Sequence, residues 1–201
     1  MSVQLLIATA NPGKTREIQA ILAALELELI TPHDITLELT VSETGADYVQ
    51  NARLKAHAYA KASGRPSLAD DSGLEVDILD GAPGMYSARY SPKPDATDAD
   101  RRAYLLEQLK NYPRPWTAHF HCTAVFTIPG KGFLETTGRC NGVIIPEERG
   151  QGGFGYDPIF YLPEYDATLA ELPTKVKNQI SHRARALKAM IPKIKTALLD
   201  G

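Results

Sequence analysis

Two adjacent carboxylates, Asp70 and Asp71, stand inside the run Ser67-Leu-Ala-Asp-Asp-Ser-Gly-Leu-Glu-Val76, whose flanks are apolar. Leu68 and Ala69 read as the approach of a buried strand, Ser72 and Gly73 as a tight turn, and Leu74 and Val76 as the chain turning inward again. Neighbouring like charges repel, and burying either of them is costly unless a cation or a hydrogen-bond donor answers it. A hard divalent cation such as Mg²⁺ is one answer, because it favours carboxylate oxygen. An exposed Asp-Asp-Ser-Gly turn is the other, since each of these residues is common in turns. Any fold of this chain must therefore either put the pair in water or surround it with positive charge.

The rest of the sequence supplies candidates for that charge. Gln4 to Ala8 is a short apolar run suited to a buried strand, and Ile18, Ile21, Leu22 and Leu25 follow at helical spacing. Between them lies Thr9-Ala10-Asn11-Pro12-Gly13-Lys14-Thr15, a turn into a helix N-terminus with a lysine at its start. Free N–H groups, the positive end of the helix dipole and Lys14 together suit a phosphate. The Gly-Lys-Thr ending is similar to a Walker A loop. That motif, however, requires glycine where this chain has Ala8, and Pro12 removes one of the cradling N–H groups. An anion site using Thr9, Asn11 and Lys14, and an ordinary strand-to-helix turn, both stay open.

A chain of 201 residues with 43% hydrophobic content can bury one sizeable core, so residues 1–201 are expected to form one domain. A net charge of −2 lacks the basic footprint of a nucleic-acid binder. Cys122 and Cys140 make neither a disulfide framework nor a zinc site, and fit a reducing interior. The start Met-Ser-Val-Gln-Leu-Leu-Ile lacks the positive region of a signal peptide, and no run approaches the ~20 apolar residues that span a bilayer. A cytoplasmic protein, with neither nucleic acid nor membrane as partner, is the expectation.

Further along, Leu29 to Leu39 reads as one or two strands, and Asp47 to Ser63 as a helix closed by Gly64. Glu43 lies in the loop entering that helix, and Lys55 lies near its apolar face. Thr97-Asp-Ala-Asp100 resembles a capping box opening a helix to about Asn111. Thr117 to Ile128 alternates with period two and forms a hairpin with Phe133 to about Cys140. His119 and His121 fall on one face of that strand and, with no third ligand nearby, are expected to be exposed. Gly150-Gln-Gly-Gly-Phe-Gly-Tyr-Asp157 combines four glycines with Phe154 and Asp157, which suits close approach to a flat ligand. Phe154 can stack on a base, and Asp157 can accept a hydrogen bond from its edge. Ser181 is placed to cap a final helix carrying His182 and Arg183 in its first turn, where cations call for a nearby anion or polar ligand.

Taken together, Thr9 to Lys14, Ser42 to Gly45, Ala69 to Gly73, Gly84 to Tyr90, Gly153 to Pro158 and Ile180 to Arg183 resemble, in order, the signature blocks of the inosine/xanthosine triphosphate pyrophosphatase family. The resemblance implies an elongated α/β fold: a mixed sheet flanked by helices, with two lobes and a nucleotide cleft between them. It implies a homodimer, Mg²⁺ dependence, and hydrolysis of ITP, dITP and XTP to the monophosphate and pyrophosphate. Carried over by position, Asp71 is the catalytic base and lies close to the metal. Glu43 is a metal ligand, and Asp70 supports it or shares the metal. Ser72, Lys55 and the loop Thr9, Ala10, Asn11, Pro12, Gly13 and Lys14 would hold the triphosphate. Phe154 would stack on the base with Gly155 and Tyr156 beside it, while Asp157, Lys177, His182 and Arg183 would read its edge. Strand geometry adds that only one of the two aspartates can face the substrate unless the turn begins at Asp70, and Asp71 is the choice.

Overall fold

The computed structural model describes residues 3–198. The chain opens with β1 (Gln4–Ile7), α1 (Pro12–Leu22), β2 (Glu28–Ile30), α2 (Tyr48–Ser63) and β3 (Ser67–Val76). It continues through β4 (Pro83–Gly84), α3 (Asp98–Leu109), β5 (Trp116–Thr127), β6 (Phe133–Ile144), β7 (Phe160–Leu162) and β8 (Ala167–Thr168). It closes with α4 (Thr174–Ile180) and α5 (His182–Leu198). The strands make one mixed sheet in the order β2-β1-β3-β5-β6-β7-β8, with β4 paired to β3. β1 runs parallel to β2 and β3, whereas β3–β4, β6–β7 and β7–β8 are antiparallel.

Two compact units divide the chain. The first holds the residues up to Asp71, Cys122–Gly138 and those from His182 on; the second holds Ser72–His121 and Arg139–Ser181. In the first unit, side-chain alternation sorts the sheet into two apolar faces. Leu5, Ile7, Leu68, Ala124 and Phe126 pack with Ile18 and Leu22 of α1 and with Leu187, Met190 and Ile194 of α5. Leu6, Ala8, Ala69 and Val125 pack with Ala52, Ala56 and Tyr59 of α2. Both faces of these strands are therefore covered, as a parallel arrangement requires. In the second unit, Leu74, Val76, Trp116, Phe120, Ile144 and Phe160 pack with Leu105 and Leu109 of α3.

Local signals fixed several boundaries. The Thr97–Asp100 capping box is formed in both directions, and Gly64 closes α2 in the left-handed region with φ 66°. Other expectations change. The tight turn at Asp70 to Gly73 does not form: β3 runs without a break from Ser67 to Val76. Continuous pairing becomes affordable because each carboxylate finds cations on its own face of the sheet. The segment from Leu29 to Leu39 contributes only β2 and a single 3₁₀ turn, His33–Ile35. His119 is buried rather than exposed, because its Nε2 lies 2.8 Å from a Glu75 carboxylate oxygen. One contact governs how α5 sits. A Cβ added at Gly138 of β6 would come within 2.2 Å of the His182 carbonyl and 2.5 Å of the Ala186 nitrogen, so the helix rests on bare backbone there.

Candidate active site

Alternation along β3 decides the fate of each aspartate. Asp70 continues the face of Leu68, toward α1 and α5. Its Oδ2 accepts hydrogen bonds from Nε and Nη2 of Arg183, each at 3.1 Å, and pairs with the Lys14 ammonium at 3.1 Å. Arg183 in turn pairs through Nη1 with Glu17 of α1. The Asp70 and Arg183 side chains are only 1% and 2% exposed, so little water screens their attraction. Burial alone would raise the Asp70 pKa. The charges of Lys14, Arg183 and Lys55 outweigh it and hold the carboxyl far below the usual range. Oδ1 of Asp70 is buried and finds no hydrogen-bond partner among the described residues.

Asp71 continues the face of Ala69, toward α2. Its Oδ1 lies 3.2 Å from the Lys55 ammonium, and its Oδ2 accepts a hydrogen bond from Nδ2 of Asn51 at 3.2 Å. The same ammonium lies 2.7 Å from Oε1 of Glu43. Oδ1 of Asn51 accepts the Gly45 N–H at 2.8 Å, which ties the Glu43 loop to α2. Here burial wins: it raises the Asp71 pKa against the pull of Lys55 and Lys14, with Glu43 adding to the rise. Lys55 stays charged, because Asp71, Asp70 and Glu43 overcome the cost of burying its ammonium.

The Thr9–Lys14 segment folds on itself at the start of α1. Asn11 caps the helix by accepting the Lys14 N–H at 3.1 Å, Thr9 Oγ1 accepts the Asn11 N–H at 3.2 Å, and Pro12 takes the first helical position. A helix beginning at Pro12, with Lys14 turned to Asp70, is not the wide glycine loop of a Walker A motif.

The remaining predicted residues divide between the units. His182 and Arg183 open α5 in the first unit, and the anions that Arg183 calls for there are Asp70 and Glu17. Arg183, assigned to the base edge by resemblance, spends its guanidinium on those two carboxylates. Ser72, Phe154, Asp157 and Lys177 belong to the second unit. There Asp157 Oδ2 accepts the Phe154 N–H at 2.8 Å and pairs with Lys177, whose ammonium lies 5.1 Å from the centre of the Phe154 ring. This arrangement requires glycine at position 153: φ is +71°, and a Cβ there would stand 2.0 Å from the Asp157 carboxylate. Glu17 and Asn51 escaped the reading of the sequence. Glu17 had left one trace, a carboxylate directly preceding Ile18 on the buried side of its helix.

A metal can be tested against these donors. Mg²⁺ keeps several waters and takes one or two protein carboxylates together with substrate phosphates. Among the described residues no three His, Cys, Asp or Glu side chains form a complete metal cage. Glu43 and Asp71 nevertheless converge on one cationic point, the Lys55 ammonium, while Asp70 on the other face of β3 keeps one buried oxygen with no hydrogen-bond partner. That hard-oxygen set fits the ion.

The sequence is 47% identical over 185 residues to a dITP/XTP pyrophosphatase of Geobacillus kaustophilus, covering 92% of this chain and 90% of the relative. It is 48% identical to the dITP/XTP pyrophosphatase of Geobacter sulfurreducens, covering 92% of both chains. The fold superposes on the HAM1 protein of Coxiella burnetii with a TM-score of 0.84 at 39% identity, covering 99% of this chain and 100% of that one. The sequence model of the Ham1 family matches residues 5–193, and the chain belongs to the Ham1 family.

Proposed function

We propose that this chain is a nucleoside triphosphate pyrophosphatase that hydrolyses the noncanonical purine nucleotides dITP, XTP and ITP to the monophosphate and pyrophosphate, keeping them out of DNA and RNA. The observation that carries the reading is Asp71: a buried carboxylate with a raised pKa, held by Lys55 and Asn51 beside Glu43. A carboxylate more basic than usual is suited to take a proton from water near neutral pH. In the reaction, Asp71 accepts that proton as the water oxygen bonds to the α-phosphorus. The bond from the α-phosphorus to the bridging oxygen breaks, and pyrophosphate leaves with the electron pair. Lys14 and Lys55 carry full positive charge beside this centre and would stabilise the departing phosphates, with Ser72 and the Thr9–Lys14 segment positioning them. Glu43 and Asp71 would hold Mg²⁺, which would supply charge neutralisation at the phosphate oxygens, while Asp70, on the other face of β3, supports the site by fixing Lys14.

Base recognition falls to the second group. Phe154 offers a stacking face, and Asp157 and Lys177 offer polar contacts to a 6-oxo purine. A site built around a donor rejects the analogue that cannot pair with it, here the 6-amino group of adenine. We read the working enzyme as a cytoplasmic homodimer. No helix among the described residues is long and apolar enough to cross a membrane.

A nucleotide kinase and a non-catalytic nucleotide sensor are the other readings of a phosphate-binding chain. The capped helix start at Pro12 disfavours the kinase, and a sensor has no use for Glu43, Asp70 and Asp71 together. Incubation with ITP and Mg²⁺, followed by product identification, separates the three. IMP and pyrophosphate are expected; IDP with phosphate, transfer to a second substrate, or no turnover would each reject the proposal.

A further inference from the structure

In the second unit, the two peptide groups that flank Gly155 are each held by the same helix. Its N–H donates to Oδ2 of Asp98 at 2.8 Å, and its carbonyl accepts from Nη1 of Arg102 at 2.8 Å. Arg102 is itself fixed by Glu148, which accepts from Nε and Nη2 at 2.8 Å each, and its side chain is only 12% exposed. Asp98 is the first residue of α3, yet the cap of that helix is made by Thr97 and Asp100. The Asp98 carboxylate is therefore not needed to start the helix and is turned instead onto Gly155 and the Arg101 guanidinium. Gly155 lies between Phe154 and Tyr156, and the Tyr156 hydroxyl donates to the Ser87 carbonyl at 2.9 Å. Asp157 and Lys177 secure the Phe154 side of the loop, while Asp98, Arg102 and Ser87 secure the other.

We infer that α3 sets the purine platform through the two peptide groups flanking Gly155, with Asp98 and Arg102 as positioning residues for the base. The inference rests on the proposed nucleotide function and deepens it. Neither residue touches the reacting phosphate, so loosening the clamp costs base binding and discrimination rather than the chemical step. A ring that must be ordered when substrate arrives binds more weakly than one held ready. Uniform loss of this kind raises KM and leaves kcat unchanged.

The test uses the whole chain and the variants Arg102→Met, Asp98→Ala and Asp98→Asn. Asp98→Asn keeps an acceptor for the Gly155 N–H and serves as the conservative rescue. Hydrogen exchange of the 153–157 backbone reads the clamp directly, without any assumption about substrate. The expected result is faster exchange in Arg102→Met and Asp98→Ala, with KM for ITP raised about tenfold, as for loss of one hydrogen bond to a charged group, and kcat within about twofold. The preference for ITP over ATP should narrow in the same two variants, and Asp98→Asn should restore both readouts. Unchanged exchange, or a fall in kcat at constant KM, overturns the inference. If Arg102→Met fails to fold, the Asp98 pair decides alone. A native chain that leaves ITP intact rejects the proposed function instead, and the exchange data still judge the clamp.

Discussion

The two faces of β3 present the same side chain one residue apart and treat it in opposite ways. On the α1/α5 face, Asp70 meets Lys14 and Arg183, and its carboxyl is held far below the usual range. On the α2 face, Asp71 meets one ammonium and one amide, and burial raises its pKa. Two fixed cations consume a carboxylate; one shared cation leaves it basic. The contrast shows how a chain can place adjacent aspartates in its interior and give them opposite acidities. The first acts as an internal tie between strand and helices, and the second is the carboxylate to which the proposed reaction gives the proton.

The contrast can be broken from either side. Chelation of divalent metal should erase turnover of ITP and leave the Asp70 tie intact, so pyrophosphate release stops while the melting temperature holds; added Mg²⁺ should restore release. Asp71→Asn should cost about 10²–10⁴ in kcat, the range for a lost general base, with an unchanged circular dichroism spectrum. Near-native turnover would remove Asp71 from the mechanism. Asp70→Asn should act mainly on stability, because it strands Arg183 among buried groups. Denaturant titration should register a loss of about 3–5 kcal/mol, the range for breaking a buried pair from one side.

Acidity sharpens the comparison further. Asp70 has a depressed pKa in the folded chain, so its contribution is complete above the ordinary 3.8 and is lost as pH falls below that value. The stability gap between the native chain and Asp70→Asn should therefore shrink only in strong acid. Asp71 must be ionised to act, so kcat should fall on the acid side with a midpoint above that of an ordinary aspartate. Lys55→Met removes the largest downward pull on Asp71 and should move that limb to still higher pH. A limb that stays in place would detach Lys55 from the base.

Much of the fold was written in short-range pattern. A short apolar run marked β1 and a period-two run marked β5, Thr97 and Asp100 marked the start of α3, and Asp47 and Gly64 bracketed α2. The Asp70–Gly73 turn was misread because turn propensity is a local property, whereas a strand through two aspartates depends on partners supplied from elsewhere. Arg183 lies 113 residues from Asp70 and 166 from Glu17, so no window of sequence could pair them. The choice of Asp71 over Asp70 came from the family resemblance, the pleat adding only that one of the two can face a ligand, and what distinguishes their surroundings became visible only once α1, α2 and α5 had been assigned to faces. Asn51 was hidden for a different reason. It looks like an ordinary polar residue of a helix, and only burial reveals that both ends of its amide are used.

The bare backbone at Gly138 ties these themes to inheritance. The residue touches no phosphate and no base, yet it sets how near the first turn of α5 can come to the sheet. A methyl group at that position has no room, so the helix must lift, and Arg183 is carried off with it. In a genetic screen, a Gly138 substitution would imitate a lesion of the Asp70 cluster while leaving every residue of the cluster intact. A compensating change would be sought among the small residues of α5, and not at the aspartates.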